Sequence, residues 1–296
     1  MEHSMPRAID HLVLAGHDLD ALAALYRRLG FNVGPRNKHP WGTENHIVQL
    51  AGGFLELIGL GAGFHTPAAS EPVAPFAGFL AHYLAQREGL AMLALRAANA
   101  AADADEFAHV KIGFGAPFSF SRAATRADGS AAPVAFTLAF ARSALIPDAG
   151  FFTCQQHNPE NFRDAAAQAH PNGASHVASV VMVAENPSAH AEFLSHFCGE
   201  REMLATSMGI DIDTGGGHIE VLTPLAFQFR FGAPALPADA GDTPWFAAYR
   251  IAVANIDAAR ASLAAQGVVA GMHDGRIVVP PAAAHGVAIV FEAATP

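Results

Sequence analysis

Short apolar runs recur along this chain, and most are followed by a segment of helical spacing. The first run, Ile9-Asp10-His11-Leu12-Val13-Leu14-Ala15, reads as a buried strand. Side chains alternate along a strand, so His11, Val13 and Ala15 share one face. Asp18 stands where a helix N-cap belongs, Leu19, Leu22, Ala23, Tyr26 and Leu29 follow at helical spacing, and Gly30 closes the segment. Residues 45–50 and 54–58, joined by Ala51-Gly52-Gly53, read as a hairpin whose second strand carries Glu56 among apolar neighbours.

The same succession returns three times. Residues 76–84 predict a helix and 90–95 a second buried strand. A helix over 100–107, strands over 117–123 and 133–140 with a turn at Ala127-Asp128-Gly129, and a strand over 150–155 complete a second unit. Residues 158–162 open a short helix that Pro171-Asn172-Gly173 ends. The boundary between halves falls there, with one pair of units in residues 1–165 and another in 166–296. The third unit starts with a strand over 177–183. Asn186 then caps a helix with Pro187 at its first position, and His190, Phe193, Leu194 and Phe197 form its apolar stripe up to Gly199. Gly215-Gly216-Gly217 precedes a strand over 218–222. With no helix after it and no lysine nearby, it reads as a hairpin turn rather than a phosphate loop. The fourth unit runs from a strand over 249–253 through a helix over 256–266 to strands over 277–279 and 287–291.

Composition narrows the classes. Apolar residues make up 51% and charged residues 15%, which excludes a disordered chain. A net charge of −10 with no cluster of Lys and Arg excludes a nucleic-acid surface. No apolar run is long enough for a membrane span, and the N-terminus lacks the layout of a secretory signal, so the expected location is the cytoplasm. Cys154 and Cys198 make no disulfide framework and read as reduced, buried thiols.

Ile9-Asp10-His11 with Asp18 seven positions on, Leu29-Gly30-Phe31, and Phe54-Leu55-Glu56-Leu57 resemble the first module of the vicinal-oxygen-chelate superfamily, which includes glyoxalase I and the extradiol dioxygenases. His39-Pro40, Gly42-Thr43 and Asn45 are similar to its glyoxalase-like domain branch. The resemblance implies an α+β fold: four βαβββ modules forming two curved mixed-sheet half-barrels with helices outside. It also implies a divalent metal ion (Zn, Ni, Mn or Fe) that chelates two vicinal oxygens of a small-molecule substrate. Lyase, isomerase and dioxygenase activities all fall within that implication, in a monomer or a homodimer.

Superposing the units on their helix caps tests the metal site. Asp18, Asn186 and Asn255 coincide, which places Ser179 and Ala248 where the first unit has His11. The two glycine turns align Glu56 with Glu220. His11 and Glu56 are therefore the candidate metal ligands, with Gln155 the expected third from the second unit. His39, His46 and His157 are candidates for lining the substrate pocket, and Glu220 is the candidate catalytic carboxylate. Two ligands alone hold a divalent ion poorly. The alternative reading is thus a metal-free protein that binds or sequesters a small molecule in the same cup.

Overall fold

The computed structural model describes residues 6–125, 130–161, 163–237 and 243–294. The turn expected at residues 127–129, and Phe162, lie outside them. Four βαβββ units follow one another, each with its first strand parallel to its last. The first comprises β1 (Ile9–Ala15), α1 (Leu19–Arg28), β2 (Asn37–Lys38), β3 (Thr43–Leu50) and β4 (Gly53–Leu60). The second follows α2 (Phe79–Leu84) and comprises β5 (Gly89–Arg96), α3 (Ala100–His109), β6 (Phe118–Thr125), β7 (Ala131–Ala141) and β8 (Gly150–Gln156). The pair forms an eight-stranded sheet of order β2-β3-β4-β1-β5-β8-β7-β6.

The second half repeats the plan. It contains β9 (Ala174–Val183), α4 (Ala191–Cys198), β10 (Leu204–Thr206), β11 (Gly209–Asp213), β12 (His218–Leu222) and α5 (Pro224–Phe231). It then continues through β13 (Trp245–Val253), α6 (Ile256–Ala265), β14 (Gly271–His273), β15 (Arg276–Val279) and β16 (Ala288–Ala293). Its sheet order, β10-β11-β12-β9-β13-β16-β15-β14, matches the first position by position. The fold is the expected α+β arrangement of duplicated modules.

Local signals explain the elements. The Asp18 side chain accepts from the backbone N–H groups of Asp20 and Ala21, and Gly30 takes φ 84° after the helix, where a Cβ would be strained. Asn99 and Asn255 cap α3 and α6 in the same way, whereas Asn186 makes no side-chain cap bond. The helix expected from residue 158 shrinks to one short turn, Pro159–Asn161, and the Asn161 side chain donates to the Pro133 carbonyl at 2.8 Å.

Three apolar cores divide the molecule. The central one joins the convex backs of both sheets to the helices outside them. It holds Leu12 and Leu14 of β1 together with Val180 and Tyr249 of the second sheet. Here the buried hydroxyls of Tyr26 and Tyr249 meet at 2.6 Å, and Phe151 packs edge-on against Phe193 and Phe197. The other two cores fill the concave sides. In the first cup Val13 and Ala15 meet Phe76, Leu80 and Tyr83 from the segment after β4. In the second cup, Phe227 and Phe231 of α5 pack on Val181, Ala248 and Val290. No helix among the described residues is long and apolar enough to cross a membrane.

The connection between halves holds a buried histidine, His170. The Asn32 backbone N–H donates to His170 Nδ1 at 3.0 Å, so Nε2 carries the proton and donates to the Gln49 carbonyl at 2.7 Å. Burial pushes this imidazole below its usual value, with the Gln49 bond working the other way. Protonation would set a second N–H against Asn32. Because the folded value lies below the unfolded one, the contribution is complete above pH about 6.5 and is lost as pH falls through the folded value. Thermal melts at pH 7.5 and 5.5 should show lower stability in acid, with a smaller difference in His170→Gln. An unchanged difference in that variant would remove His170 from the account.

Candidate functional site

The first cup brings together residues from six strands, one loop and the segment after β4, with Phe136 and Leu138 from β7 and Phe76 from that segment. His11 comes from β1, Asn45 and Ile47 from β3, Glu56 from β4, Phe120 and Arg122 from β6, Phe152 and Cys154 from β8, and His39 and Trp41 from the loop between β2 and β3. The cavity among these side chains is about 40 Å³, room for a few water-sized occupants.

His11 is fixed from several sides. Pairing between β1 and β5 slips between Ile9 and His11, so Asp10 is an extra residue at that point of the strand. Neighbouring side chains on a regular strand point apart. The irregularity lets them meet instead, with Asp10 Oδ1 2.7 Å from His11 Nδ1. Gln156 Nε2 donates to both Asp10 oxygens at 3.1 and 2.9 Å. The imidazole stacks on Phe54 with centroids 4.2 Å apart, and Phe152 meets it edge-on. A carboxylate only accepts, so Nδ1 carries the proton and Nε2 presents its lone pair to the cup.

His39 mirrors this orientation. Its Nδ1 lies 2.8 Å from Thr43 Oγ1, and Asn45 Nδ2 approaches Nε2 at 3.4 Å. The loop holding it depends on Gly42, at φ 93°, where a Cβ would lie 2.8 Å from the Phe64 backbone. Burial pushes His39 below the usual imidazole value, Glu56 pulls it back, and Arg122 adds to the depression. Glu56 accepts from Asn45 Nδ2 through Oε1 at 2.5 Å. Each oxygen of Glu56 then faces a different imidazole, Oε2 at 3.9 Å from His11 Nε2 and Oε1 at 3.9 Å from His39 Nε2.

Each imidazole thus faces its own oxygen of one carboxylate. The separations are too long for hydrogen bonds. They suit two donors that each lie about 2.0–2.2 Å from one shared ion. Two imidazoles and a carboxylate also match the donor chemistry of Fe, Zn, Ni or Mn sites. On this observation the residues present fit a divalent metal. His11, His39 and Glu56 are spread more widely than Asp10, His11 and Cys154, which are the one grouping among the described residues whose donor atoms all lie within 4.8 Å of one another. In it Asp10 already engages the His11 N–H, and burial, then Asp10 and Glu56, push the Cys154 thiol well above its usual value.

The remaining sequence candidates lie elsewhere. Gln155 is on the convex face of β8. Phe152 pairs with Ala94 and lines the cup with Cys154, so Thr153 and Gln155 point the other way. Gln155 Oε1 accepts from the Ala100 N–H at the start of α3, 3.0 Å away, and is unavailable as the expected third ligand. His157 lies beyond the end of β8, exposed, with Nε2 2.8 Å from Thr137 Oγ1. His46 alternates with Asn45 and Ile47 and turns its back to the cup, donating through Nδ1 to the Gly34 carbonyl at 2.7 Å. Only His39 of the three pocket candidates joins His11 and Glu56.

Glu220 occupies the repeat of the Glu56 position, as the pairings Val13↔Glu56 and Val181↔Glu220 show. It belongs to the second cup, on the far side of the shared core. There it is fully buried, accepts from Ser179 Oγ at 2.6 Å, and is ion-paired with both Arg230 and Arg250. Ser179 stands where the first cup has His11. A carboxylate neutralised by two guanidiniums in the other cup is not placed to serve as the base for chemistry at His11.

Residues not singled out in the sequence complete the first cup. Asp10 was hidden by strand alternation, which the bulge overrides. Arg122 carried a signal: Phe118, Phe120 and Arg122 at alternate positions place a cation on the same face as two rings.

The two cups thus differ: one gathers imidazoles round its carboxylate, the other ties it between two arginines. The chain belongs to the glyoxalase-like domain family of the vicinal-oxygen-chelate superfamily, whose sequence pattern matches residues 9–198. No curated protein matches the sequence. A hypothetical protein from Staphylococcus aureus shares the fold with TM-score 0.66 at 10% identity, over 97% of this chain and 99% of that one. A variant of 4-hydroxymandelate synthase from Streptomyces coelicolor does so with TM-score 0.53 at 14% identity, over 99% and 95%. A fusion of a xylose isomerase-like TIM barrel with 4-hydroxyphenylpyruvate dioxygenase gives TM-score 0.57 at 10% identity, over 99% of this chain and 50% of that one. At these identities the likeness is one of fold.

Proposed function

We propose that the protein is a divalent-metal-dependent enzyme acting on a small molecule in the first cup, of the lyase, isomerase or dioxygenase type. The observation that carries this reading is the convergence of two imidazole lone pairs on the two oxygens of Glu56. His11, His39 and Glu56 would hold the ion, which when bound supplies Lewis-acid polarisation of two neighbouring substrate oxygens. Asp10 and Gln156 fix the His11 tautomer. Asn45 holds the carboxylate in register, and aromatic side chains wall the polar floor.

Supporting partners of a ligating histidine matter to affinity. Asp10→Asn should weaken divalent-metal binding by about 10–100-fold while the fold is retained, measured by competition with a chromogenic chelator. Unchanged affinity would detach the Asp10–His11 pair from metal binding.

A second reading has its own support. Asn45 already satisfies Glu56, and the second unit offers only Met92 and Phe152 at the positions corresponding to His11 and Glu56. Such a cup would serve a metal-free binding or sequestering protein. Equilibrating chelator-treated protein with Fe²⁺, Mn²⁺, Zn²⁺ or Ni²⁺ separates the two. The enzyme reading expects close to one tightly held equivalent, and uptake of none supports the carrier.

A further inference from the structure

We infer that the second unit carries a ligand site of its own, an apolar pocket with Arg142 at its rim that takes an alkyl carboxylate. The inference goes beyond the reading of the first cup and does not depend on a metal there. Asn99, which caps α3, lies as far after Met92 as Asp18 lies after His11. The pairings His11↔Phe54 and Met92↔Gly150 then put Met92 in the place of His11 and Gly150 in that of Phe54. Phe54 stacks on His11 in the first cup, whereas Gly150 has no side chain to bring. A pocket of about 460 Å³ is lined by Met92 and Gly150, against about 40 Å³ in the first cup. Small-molecule sites usually measure about 300–1,000 Å³.

The lining defines the ligand. Met92, Ile146 and Phe152 are buried, and Pro75, Phe79 and Phe114 lie nearer the surface. Met92 supplies a flexible thioether that can follow an alkyl chain. Arg142 is the one charged lining residue among those described. Its guanidinium carbon lies 4.3 Å from the centre of the Phe114 ring, and its side chain has no hydrogen bond or ion pair among the described residues. Stacking uses the flat face of a guanidinium and leaves its N–H edge for a carboxylate. Backbone bonds fix this rim. The Arg142 N–H donates to the Ile112 carbonyl at 2.8 Å and the Ile146 N–H to the Ser143 carbonyl at 3.1 Å, while Ser143 Oγ accepts from the Leu145 N–H at 3.2 Å. The same turn leaves Leu145 59% exposed, so apolar surface continues past the rim. A cation without an acidic partner beside an apolar hollow is complementary to an anion on a hydrocarbon chain.

Octanoate, butyrate and octanamide are the probes, titrated by calorimetry into wild type, Arg142→Gln and Ala144→Trp. Wild type should bind octanoate about 10-fold or more tightly than butyrate, because the longer chain buries more methylenes. It should prefer octanoate to octanamide by about 5-fold, and Arg142→Gln should lose that preference with octanamide affinity unchanged. Ala144 lines the pocket from an exposed position, so Ala144→Trp should keep the wild-type circular dichroism spectrum and lose both eight-carbon probes. Equal affinity for butyrate and octanoate would reduce the site to a surface contact with Arg142 and overturn the inference. So would octanoate binding that ignores Arg142→Gln or Ala144→Trp, or no octanoate binding at all. Metal uptake by the first cup, measured on the same preparations, should be the same in all three proteins and reports separately on the reading of that cup.

Discussion

His11→Ala should abolish tight divalent-metal binding while the protein stays folded. The loss should exceed the about 10–100-fold expected when only a supporting partner is removed. The imidazole occupies a cup whose walls are held by other side chains, so its removal deletes a donor without breaking a core contact as large as those of Leu12 or Leu14, which face the shared core. Glu56→Gln should behave alike: Asn45 can still donate to the amide oxygen, yet the anionic donor between the two imidazoles is gone. Circular dichroism and metal analysis on the same preparations check both. Retention of wild-type metal affinity in His11→Ala would mean that the ion sits elsewhere.

The repeated carboxylate should respond in the opposite way. Glu220→Gln is expected to cost about 1.5–3 kcal/mol of stability, since Arg230 and Arg250 then face a neutral group, with Arg250 keeping Glu292 and Arg230 partly in solvent. The same change should leave metal binding in the first cup untouched. Urea unfolding of Glu220→Gln beside Glu56→Gln makes the comparison direct, because the two residues occupy equivalent places in repeated units. A Glu220→Gln protein within about 1 kcal/mol of wild type would contradict the structural role assigned here. The contrast shows how duplication separates tasks: one copy keeps its carboxylate among imidazoles, and the other ties it between guanidiniums beneath Phe227 and Phe231.

The fold was legible because period-two and period-3.6 runs recur in one order with the same caps. His11 and Glu56 were legible as cup residues because both lie on strands at positions that the repeats could be aligned to reach. Gln155 was misread for the reason that makes strands unforgiving: a shift of one residue exchanges faces, and Phe152 rather than Thr153 takes the position equivalent to Glu56. His39 sits on a loop, where spacing says little about direction, and only the turn at Gly42 brings it over the carboxylate. The pairing of Asp10 with His11 depends on a bulge that no alternation rule foresees. The arginines that hold Glu220 lie 10 and 30 positions along the chain, on α5 and β13, and meet only through the curl of the second sheet.

Anomalous diffraction from crystals of the protein loaded with Mn²⁺, Fe²⁺ or Zn²⁺ tests the central claim most directly. The account predicts one strong peak in the first cup, bonded to His11 Nε2, His39 Nε2 and Glu56, with none at Glu220. A peak bonded instead to Cys154 and Asp10, or a cup with no peak at saturating metal, would contradict it.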